Sequence, residues 1–325
     1  MQRSLETLWY GQHPLRWLLW PLSFCYQHVV GWRRFYLERF KQQHFPVPII
    51  VVGNLTVGGV GKTPLVIALA QALKDKGLKV GIVSRGYGAR VNHFPYDVKK
   101  TDNAHLVGDE PLLLAQNTDC PVVIAPKRVE AVRYLLERYQ SQIIISDDGL
   151  QHYAMGRQLE ILVIDGLRGL GNGLCLPAGP LREHPKRLKE ADFLIVNGGK
   201  WSDAYSMTLQ PGKLINIATG HAISPHELIG PTAAVAAIGH PQRFYTTLTN
   251  MGITFNSYSF PDHHAFRAEQ LTFAEENVIM TAKDAVKCQD FAKDSWYFLP
   301  VDAKLSDAFW TALWSHEQIK GLVLT

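Results

Sequence analysis

The amino-acid sequence predicts an α/β fold with a largely parallel sheet, and three observations predict it. Residues 56–64 read Thr-Val-Gly-Gly-Val-Gly-Lys-Thr-Pro and stand between an apolar run and an amphipathic run. A strand, a glycine-rich loop and a helix in this order form a phosphate-binding loop. Short apolar runs then alternate with helical patterns to about residue 200, which is typical of parallel strands covered on both faces. We therefore predict a P-loop NTPase-like sheet domain, followed by a smaller C-terminal α/β domain.

Strands and helices are predicted from different patterns. Continuous apolar runs predict buried strands, and amphipathic runs bounded by glycine or proline predict helices. In the first part of the chain they predict strands at 47–53, 79–84, 121–125, 142–146, 159–165 and 191–197, and helices at 62–76, 111–116 and 127–139. In the second part they predict strands at 233–238, 253–260, 277–281 and 296–301, and helices at 242–249 and 306–319.

These patterns divide the chain into three segments. We expect an aromatic-rich helical region at residues 1–45 and a nucleotide-binding domain at residues 46–225. The third segment, residues 226–325, is predicted to form the smaller α/β domain and to close a cleft against the larger one.

The composition excludes several classes of protein. The chain has 325 residues, of which 46% are hydrophobic, and a formal net charge of +4. The apolar content suffices for a packed core but is too even for a multi-span membrane protein. The charge is too small to predict nucleic-acid binding. Four cysteines lie far apart without a C-x-x-C pair, so we expect reduced thiols in the cytosol and neither disulfides nor a zinc site.

The glycine-rich loop predicts a polyphosphate site. Its backbone N–H groups and the following helix N-terminus would bind phosphate, and Lys62 would reach the β- and γ-phosphates. Thr56 stands where the widespread motif has glycine, and Val57 stands where a related loop variant often has lysine. The alternative is a glycine-rich turn without a ligand. The predicted nucleotide-binding residues are Thr56, Val57, Gly58, Gly59, Val60, Gly61, Lys62 and Thr63.

A pair of carboxylates predicts the metal site. Asp147 and Asp148 directly follow the apolar run at 143–145, where a P-loop enzyme places the acid that holds Mg²⁺. Thr63 would supply a hydroxyl to the same ion. Two adjacent acids at a buried strand end are costly without a cation, although a turn with solvated acids is the alternative. Because no N/T-K-x-D pattern is present, we favour ATP over GTP.

The aromatic-rich N-terminus predicts contact with a membrane surface. Residues 8–40 carry ten tryptophan, tyrosine and phenylalanine side chains interrupted by arginines. The charge-free stretch at 17–32 is shorter than the roughly 20 apolar residues of a spanning helix. Such a segment suits the bilayer interface. The alternative is a helix that packs on the body of the protein through its aromatic side chains.

Three further motifs carry polar side chains that suit catalysis. Asp109 and Glu110 precede a predicted helix, where acids also act as caps. Arg182 and Glu183 follow a proline-rich loop, and an arginine there would clamp a phosphate or form a surface ion pair. Next to Asp262, His263 is placed to assist proton transfer, whereas the adjacent histidines at 263–264 lack zinc-like spacing.

Taken together, these blocks closely resemble the tetraacyldisaccharide 4′-kinase family, the lipid A kinases of Gram-negative bacteria. The resemblance covers nearly the whole chain, and the blocks follow the family's order. Leu150, Tyr153 and Ala282 stand where phenylalanine, arginine and glutamate are common in the family. The resembling blocks lie at residues 52–64, 84–88, 108–111, 147–152, 177–183, 260–263 and 281–287.

The resemblance implies transfer of the ATP γ-phosphate to the 4′-hydroxyl of a tetraacylated glucosamine disaccharide 1-phosphate. By the same resemblance Asp109 is the general base, His263 orients it, and Lys62 stabilises charge on the transferred group. Asp147 and Asp148 with Thr63 handle Mg²⁺ by this reading. The resemblance further makes Arg85, Tyr87, Glu110, Arg182 and Glu183 candidates for substrate binding.

The implied partners are ATP, Mg²⁺, an acylated disaccharide lipid and the membrane surface, without nucleic acid or an obligate protein partner. The implied location is the cytoplasmic face of the bacterial inner membrane, as a peripheral or monotopic protein. Two alternatives stay open: a membrane-associated ATPase switch that positions other proteins, and a nucleotide-binding module without catalysis.

Overall fold

The computed structural model of the chain describes residues 2–11 and 13–323. The strands are β1 (Ile49–Gly53), β2 (Val80–Ser84), β3 (Tyr96–Val98), β4 (Val122–Ile124), β5 (Ile143–Asp147), β6 (Leu159–Asp165), β7 (Phe193–Asn197), β8 (Tyr205–Pro211), β9 (Leu214–Asn216), β10 (Ala222–Ile223), β11 (Thr232–Ala236), β12 (Asn256–Ser259), β13 (Asn277–Thr281), β14 (Trp296–Leu299) and β15 (Val301–Leu305). The helices are α1 (Gln2–Tyr10), α2 (Leu15–Phe40), α3 (Lys62–Asp75), α4 (Ala104–Val107), α5 (Asp109–Thr118), α6 (Arg128–Tyr139), α7 (Pro241–Asn250), α8 (Ala282–Ala285), α9 (Asp307–Ser315) and α10 (Glu317–Val323).

The larger sheet has nine strands in the order β15-β8-β7-β6-β1-β5-β2-β4-β3. Its seven central strands are parallel, and the edge strands β3 and β15 run antiparallel to their neighbours. The registers Val52↔Asp147 and Ser84↔Ile124 bring the carboxyl ends of β1, β5, β2 and β4 to one edge. Ligands of open α/β sheets bind at this edge.

The larger sheet is covered on both faces, and its strand β1 is apolar and buried along its whole length. Along β1, Ile50 and Val52 belong to one buried cluster, whereas Ile49 and Val51 belong to another. The first cluster includes α3 residues at helical spacing, and the second includes α6 residues. This two-sided burial is why the strands appear in the sequence as continuous apolar runs.

The smaller sheet has six strands in the order β10-β9-β14-β13-β11-β12. Strands β12, β11, β13 and β14 are parallel, and α7 packs beside β11 through Phe244 and Leu248. Three of the predicted elements lie within a few residues of β11, β13 and α7. The predicted strand at 253–260 is shorter, because β12 begins at Asn256.

The division of the chain between the two sheets differs from the predicted domain boundary at residue 226 in two respects. The smaller sheet already begins with β9 at Leu214. After β14, the chain returns to the larger sheet, where β15 pairs with β8 through residues such as Ala303 and Leu209. Residues 301–323, predicted for the smaller domain, therefore pack on the larger sheet, and Phe309 and Leu313 of α9 join its core. The predicted helix at 306–319 is interrupted at His316.

The N-terminal segment forms two helices, of which α2 docks by one face on the segment at residues 175–182. Ser23 is buried, and its hydroxyl donates to the carbonyl of Cys175 at 2.8 Å and accepts from the N–H of Ala178. The Tyr26 hydroxyl donates to the carbonyl of Arg182 at 3.2 Å. Through residues 2–11 and 13–323, no helix combines the length and the apolar character needed to cross a bilayer.

The other side of α2 is strongly apolar and exposed. Trp17, Leu18 and Trp32 are 65%, 74% and 68% exposed. A contiguous exposed apolar face of this kind marks an interaction surface. We call the large apolar side chains that are exposed on α2 the apolar face; they are Leu15, Trp17, Leu18, Trp20, Leu22, Phe24, Val29, Trp32, Phe35, Tyr36 and Phe40.

Candidate active site

The phosphate-binding loop connects β1 to α3 and depends on two glycines in the left-handed region. Gly58 has φ 107° and Gly61, which caps α3, has φ 91°. A Cβ on Gly61 would lie 2.4 Å from the amide nitrogen of Asn197, so only glycine fits. The Asn197 amide donates to the carbonyl of Val60 at 2.8 Å and holds the loop against the end of β7.

The Lys62 ammonium is held by two groups at the mouth of this loop. It donates to Asn54 Oδ1 at 2.8 Å and lies 3.3 Å from Asp148 Oδ1. Asn54 in turn donates to the carbonyl of Thr56 at 2.7 Å. The sequence predictions did not include Asn54, which the structure identifies as a residue that orients the lysine.

Asp148 lies between cations at the carboxyl end of β5. Arg182 Nη1 contacts both carboxylate oxygens of Asp148 at 3.1 Å, and the Asp148 backbone has φ 47°. Burial would raise the pKa of Asp148, but Lys62, Arg182 and Arg128 outweigh it and hold the pKa well below its usual range. Arg128 is buried and donates to the carbonyls of Asp147 and Asp148, each at 2.8 Å. The turn is therefore held by an arginine that the sequence predictions missed.

Asp147 has the properties of a carboxylate that takes a cation. It is 2% exposed, and its Oδ1 has no hydrogen-bond partner within residues 2–11 and 13–323. Burial raises the pKa of Asp147 to about 7, and the negative charges of Glu110 and Asp148 act in the same direction. A divalent ion beside such a buried carboxylate would offset its negative charge.

The protein supplies few candidate metal ligands. Across the described part of the chain, no cluster of three or more His, Cys, Asp or Glu side chains is arranged to hold a metal. Mg²⁺ in phosphotransferases takes one or two carboxylates and completes its shell with phosphate oxygens and water. The donor set of Asp147, Asp148 and Thr63 fits an ion that arrives with a nucleotide.

The segment at 177–183 supports the phosphate-binding loop from the side. The N–H of Val57 donates to the carbonyl of Pro180 at 2.8 Å, and the N–H of Arg182 donates to the carbonyl of Leu55 at 2.7 Å. These bonds direct the Arg182 side chain toward Asp148.

Glu183 points into a different environment from Arg182. It is buried and accepts hydrogen bonds from the Gln151 amide at 2.9 Å and from the Tyr153 hydroxyl. Arg187 Nε lies 3.9 Å from Glu183 Oε2. The contacts of Glu183 are therefore those of a buried network that holds the 147–153 segment.

Asp109 and His263 meet across the cleft between the two sheets. Asp109 is the first residue of α5 and is 7% exposed. His263 Nδ1 lies 3.1 Å from Asp109 Oδ2, although 154 residues separate the two. Burial would raise the pKa of Asp109, but the hydrogen bond from His263 and the charges of Lys283, His263 and Lys287 hold it at about 2. Asp109 is thus an ionised carboxylate with an imidazole beside it.

Further charged and aromatic groups surround this pair. Lys283 Nζ contacts Glu110 Oε1 at 3.0 Å and His263 Nε2 at 3.4 Å. Lys287, which is 7% exposed, lies 3.9 Å from Asp109 Oδ2. The Tyr87 ring lies 5.2 Å from the His263 ring and is itself 65% exposed.

The smaller sheet also covers the phosphate-binding loop. A Cβ on Gly239, which follows β11, would lie 3.3 Å from the Gly59 nitrogen and 3.4 Å from Asp262 Oδ2. Asp262, the neighbour of His263, therefore lies close to the loop. Arg243 of α7 donates to Asp165 Oδ1 at 3.1 Å and to the carbonyl of Asn197 at 2.9 Å. These contacts place the Asp109–His263 pair and the phosphate-binding loop in one cleft.

Comparisons with known proteins agree over the whole length of the chain. The family model described as tetraacyldisaccharide-1-P 4′-kinase matches residues 15–318. A tetraacyldisaccharide 4′-kinase of Legionella pneumophila is 60% identical over 321 residues, which cover 99% of each chain. One from Shewanella halifaxensis is 47% identical and covers 95% of this chain and 96% of its own.

The chain belongs to the tetraacyldisaccharide 4′-kinase family. A crystal structure of LpxK from Aquifex aeolicus in complex with ATP is 28% identical and superposes with a TM-score of 0.77, covering 96% of this chain and 100% of that one. The predicted family and the predicted fold class are thereby confirmed. As a member of this family, the protein is an ATP-dependent kinase.

The motif at residues 281–287 has contacts in this kinase that its pattern did not reveal. Thr281 caps α8 and accepts a hydrogen bond from the N–H of Asp284, which is fully buried and accepts from the N–H of Ala237 at 2.9 Å. This segment thus builds the smaller sheet and presents Lys283 and Lys287. Their spacing of four residues after a strand was the available signal.

Arg85, another predicted site residue, lies at the carboxyl edge of the larger sheet. It is exposed on the loop after β2 and forms no hydrogen bond or ion pair with any other residue in the described ranges. Its position beside the carboxyl end of β5 follows from the register Val83↔Ser146.

Proposed function

We propose that this kinase transfers the γ-phosphate of ATP to the 4′-hydroxyl of a tetraacylated disaccharide 1-phosphate at a membrane surface. The observation that carries the proposal is the Asp109–His263 contact at 3.1 Å in the cleft that holds the phosphate-binding loop. A carboxylate in such a pair suits the deprotonation of a sugar hydroxyl, which is a poor nucleophile in its neutral form.

The donor nucleotide is proposed to lie along residues 56–63. Backbone N–H groups of this loop and the N-terminus of α3 favour phosphate. Lys62 then exchanges Asp148 for phosphate oxygens and neutralises charge on the transferred group. Arg182, which also contacts Asp148, is placed to follow the same exchange. The support is the position of both cations on one carboxylate.

Mg²⁺ is proposed to be held by Asp147, Asp148 and Thr63. When bound with ATP, the ion would neutralise phosphate charge and orient the donor. The residues themselves do separate work: Asp147 presents an unpaired oxygen, and Arg128 fixes the backbone on which both carboxylates stand.

The acceptor hydroxyl is proposed to approach Asp109. As its oxygen forms the bond to the γ-phosphorus, the bond to the β–γ bridging oxygen breaks and ADP leaves. Asp109 takes the hydroxyl proton late in this step. Asp109 Oδ1 accepts only the N–H of Glu110 at 2.9 Å among the described residues, while Oδ2 faces His263 and Lys287. Oδ1 is therefore the oxygen with a lone pair to spare.

The lipid side of the reaction is proposed to depend on the apolar face. An acylated disaccharide stays in the bilayer, so the active site must work at its surface. Helix α2 presents its apolar face to solvent and joins the site through Tyr26, which binds the carbonyl of Arg182. We place the protein on the cytoplasmic face of the inner membrane, with Arg85, Tyr87 and Glu110 on the disaccharide side.

The deciding experiment measures transfer of labelled γ-phosphate from Mg-ATP to a tetraacyldisaccharide 1-phosphate in mixed micelles. We expect a product phosphorylated at the 4′ position and ATP consumption that depends on the lipid. ATP consumption that ignores the lipid and rises with a protein partner would replace the kinase by an ATPase switch. The variant Asp109→Asn serves as the matched control because it keeps the size of the side chain.

A further inference from the structure

Arg243 reaches from the smaller domain to the larger sheet and has no part in the proposed reaction. It lies in the first turn of α7, and its Nη2 donates to Asp165 Oδ1 at 3.1 Å and to the carbonyl of Asn197 at 2.9 Å. These two acceptors stand at the carboxyl ends of β6 and β7. One nitrogen atom of the smaller domain therefore binds the last residues of two strands of the larger sheet.

The ends of β6 and β7 approach each other closely enough for this double contact. Asp165 and Asn197 are partners in the register of the two strands. The chain then continues through Gly166 and Gly198, and a Cβ on Gly166 would lie 1.5 Å from the carbonyl oxygen of Gly198. Only glycine permits this backbone contact. The two acceptors of the arginine are thus held side by side by the sheet itself.

Asp165 depends on Arg243 for its counter-ion. The carboxylate is buried, and its Oδ2 has no hydrogen-bond partner among the described residues. Its Oδ1 also accepts the N–H groups of Leu167 at 3.0 Å and of Arg168 at 3.1 Å, but the guanidinium of Arg168 pairs with Glu6. Within residues 2–11 and 13–323, Arg243 is the one cation that forms an ion pair with Asp165. Separation of the two would leave a buried charge unpaired.

Asn197 extends the contact to the phosphate-binding loop. Its side-chain amide donates to the carbonyl of Val60 at 2.8 Å, while its backbone carbonyl accepts from Arg243. The turn before α7 lies on the same loop, since a Cβ on Gly239 would lie 3.3 Å from the Gly59 nitrogen. The smaller domain therefore contacts the loop directly through this turn and indirectly through Asn197.

We propose that Arg243 is a positioning residue that holds the smaller domain closed over the phosphate-binding loop by binding Asp165 and Asn197. The inference rests on the proposed placement of ATP along residues 56–63. A protein that closes before the nucleotide arrives offers ATP a loop that is already in its binding arrangement. Without Arg243, fewer molecules are closed, and the apparent affinity for ATP falls in proportion to that fraction.

The first test is steady-state kinetics of the full-length kinase, with ATP and a tetraacyldisaccharide 1-phosphate varied separately. Arg243→Met should raise the KM for ATP about tenfold, the scale of a lost hydrogen bond to a charged group. Turnover with both substrates saturating should fall less than about threefold, because bound ATP then favours the closed state. Arg243→Lys should restore most of the affinity, because one nitrogen makes both contacts and an ammonium carries three donors.

A double variant tests whether the ion pair is the cause. Asp165→Asn removes the charge that Arg243 binds, so it should also raise the KM for ATP. Two residues that act through one contact have non-additive effects. The variant that carries both Arg243→Met and Asp165→Asn should therefore have a KM no higher than the larger of the two single effects.

The distance between the domains is the second readout, which a change confined to the catalytic groups would not alter. Asp75 of α3 and Asn250 of α7 are both exposed. Spin labels on Asp75→Cys and Asn250→Cys, in a Cys25→Ser background because Cys25 is exposed, report this distance. Arg243→Met should add a second distance in the nucleotide-free protein, and Mg-ATP should remove it.

Gln242→Met is the matched control, because Gln242 is the exposed neighbour of Arg243 on the same turn. It should leave the KM and the label distance unchanged. An unchanged KM for ATP in folded Arg243→Met overturns the proposal, and so does a loss confined to turnover. A raised KM without a second distance overturns closure as its cause, and additive effects in the double variant overturn the pairing with Asp165.

Two further variants keep the test decisive. Should Arg243→Met fail to fold, Arg243→Gln carries the same measurements. Turnover of Lys62→Met close to that of the wild type would instead remove the proposed ATP site, while the label distances would still report whether Arg243 holds the domains together.

Discussion

Asp148 Oδ1 lies 3.3 Å from Lys62 Nζ, so a carboxylate acts as the counter-ion of the lysine in the phosphate-binding loop. Arg182 joins the same carboxylate at 3.1 Å. Lys62 and Arg182 therefore already share the Asp148 carboxylate, which is also a predicted ligand of Mg²⁺. Binding of a nucleotide can then redistribute existing ion pairs without creating an unpaired buried charge.

Lys62→Met should strongly reduce phosphate transfer while the protein stays folded. Loss of a preorganised charge at the transferred group costs about 10²–10³ in turnover. The measurement is single-turnover transfer from labelled ATP. Lys76→Met is the matched control, because Lys76 ends the same helix on the surface and contacts the Trp314 ring. Turnover within a few-fold of the wild type would remove Lys62 from the donor site.

Asp109→Asn should lower turnover by about 10²–10⁴, the range that a positioned general base contributes. The KM for ATP should change little, because the carboxylate faces His263 and not the phosphate-binding loop. Steady-state kinetics with both substrates give the two constants. Asp119→Asn, at the exposed other end of α5, should leave both unchanged. An equal loss in both variants would point to a general effect on α5.

Much of the larger sheet was predictable because its strands are buried on both faces. Strands β1, β5 and β6 are buried at every position and mostly apolar, and the element bounds lie within a few residues of the predictions. Strand β15 was not predictable as a separate element. Only Pro300 separates it from β14, and its partner strand β8 lies about ninety residues earlier in the chain. No local pattern specifies which sheet such a strand joins.

The residues of the candidate site likewise fall into those that the sequence could predict and those that it could not. Residues in a recognisable local motif, such as Lys62 and Asp147, could be predicted as site residues from the sequence. Arg128 and Lys283 were not assigned a role, since their contacts join different elements of the fold. Lys283 and Glu110, for example, are 173 residues apart. Asn54 was missed although it contacts Lys62 only eight residues away.

Replacing exposed side chains of the apolar face should release the protein from lipid without unfolding it. We choose Leu18→Ser, Trp32→Ser and Phe35→Ser together, because these side chains are 61–74% exposed. Each large apolar side chain contributes about 1.5–3 kcal/mol when it is buried, so vesicle affinity should fall at least about tenfold. Deleting residues 1–30 is less clean, since it also removes the contacts of Ser23 and Tyr26.

The measurement is sedimentation with vesicles of mixed zwitterionic and anionic phospholipid, beside circular dichroism to check folding. Ile229→Ser is the matched control, because Ile229 is 85% exposed on the smaller domain, away from α2. Undiminished sedimentation of the triple variant would place the lipid contact elsewhere on the surface.

Asp147→Asn should stabilise the nucleotide-free protein at neutral and higher pH, while it impairs turnover. Burial raises the pKa of Asp147 to about 7 in the folded protein, against about 3.9 in an unfolded chain. The folded state therefore binds the proton more tightly. Its contribution to stability is fully present below about pH 4 and is lost as the pH rises to about 7.

The side-chain amide of the Asp147→Asn variant carries no charge at any pH. The wild type should therefore lose stability relative to the variant as the pH rises from about 4 to 7. A difference of at least about 1 kcal/mol corresponds to roughly 2–4 °C in Tm for a domain of this size. Thermal unfolding of both proteins at pH 5, 6, 7 and 8, about one unit apart across the transition, measures it. Asp165→Asn is a poor control because Arg243 pairs with Asp165, whereas Asp75→Asn changes an exposed acid at the end of α3. A wild-type Tm that rises with pH relative to Asp147→Asn would show that Asp147 is already ionised and paired without a nucleotide.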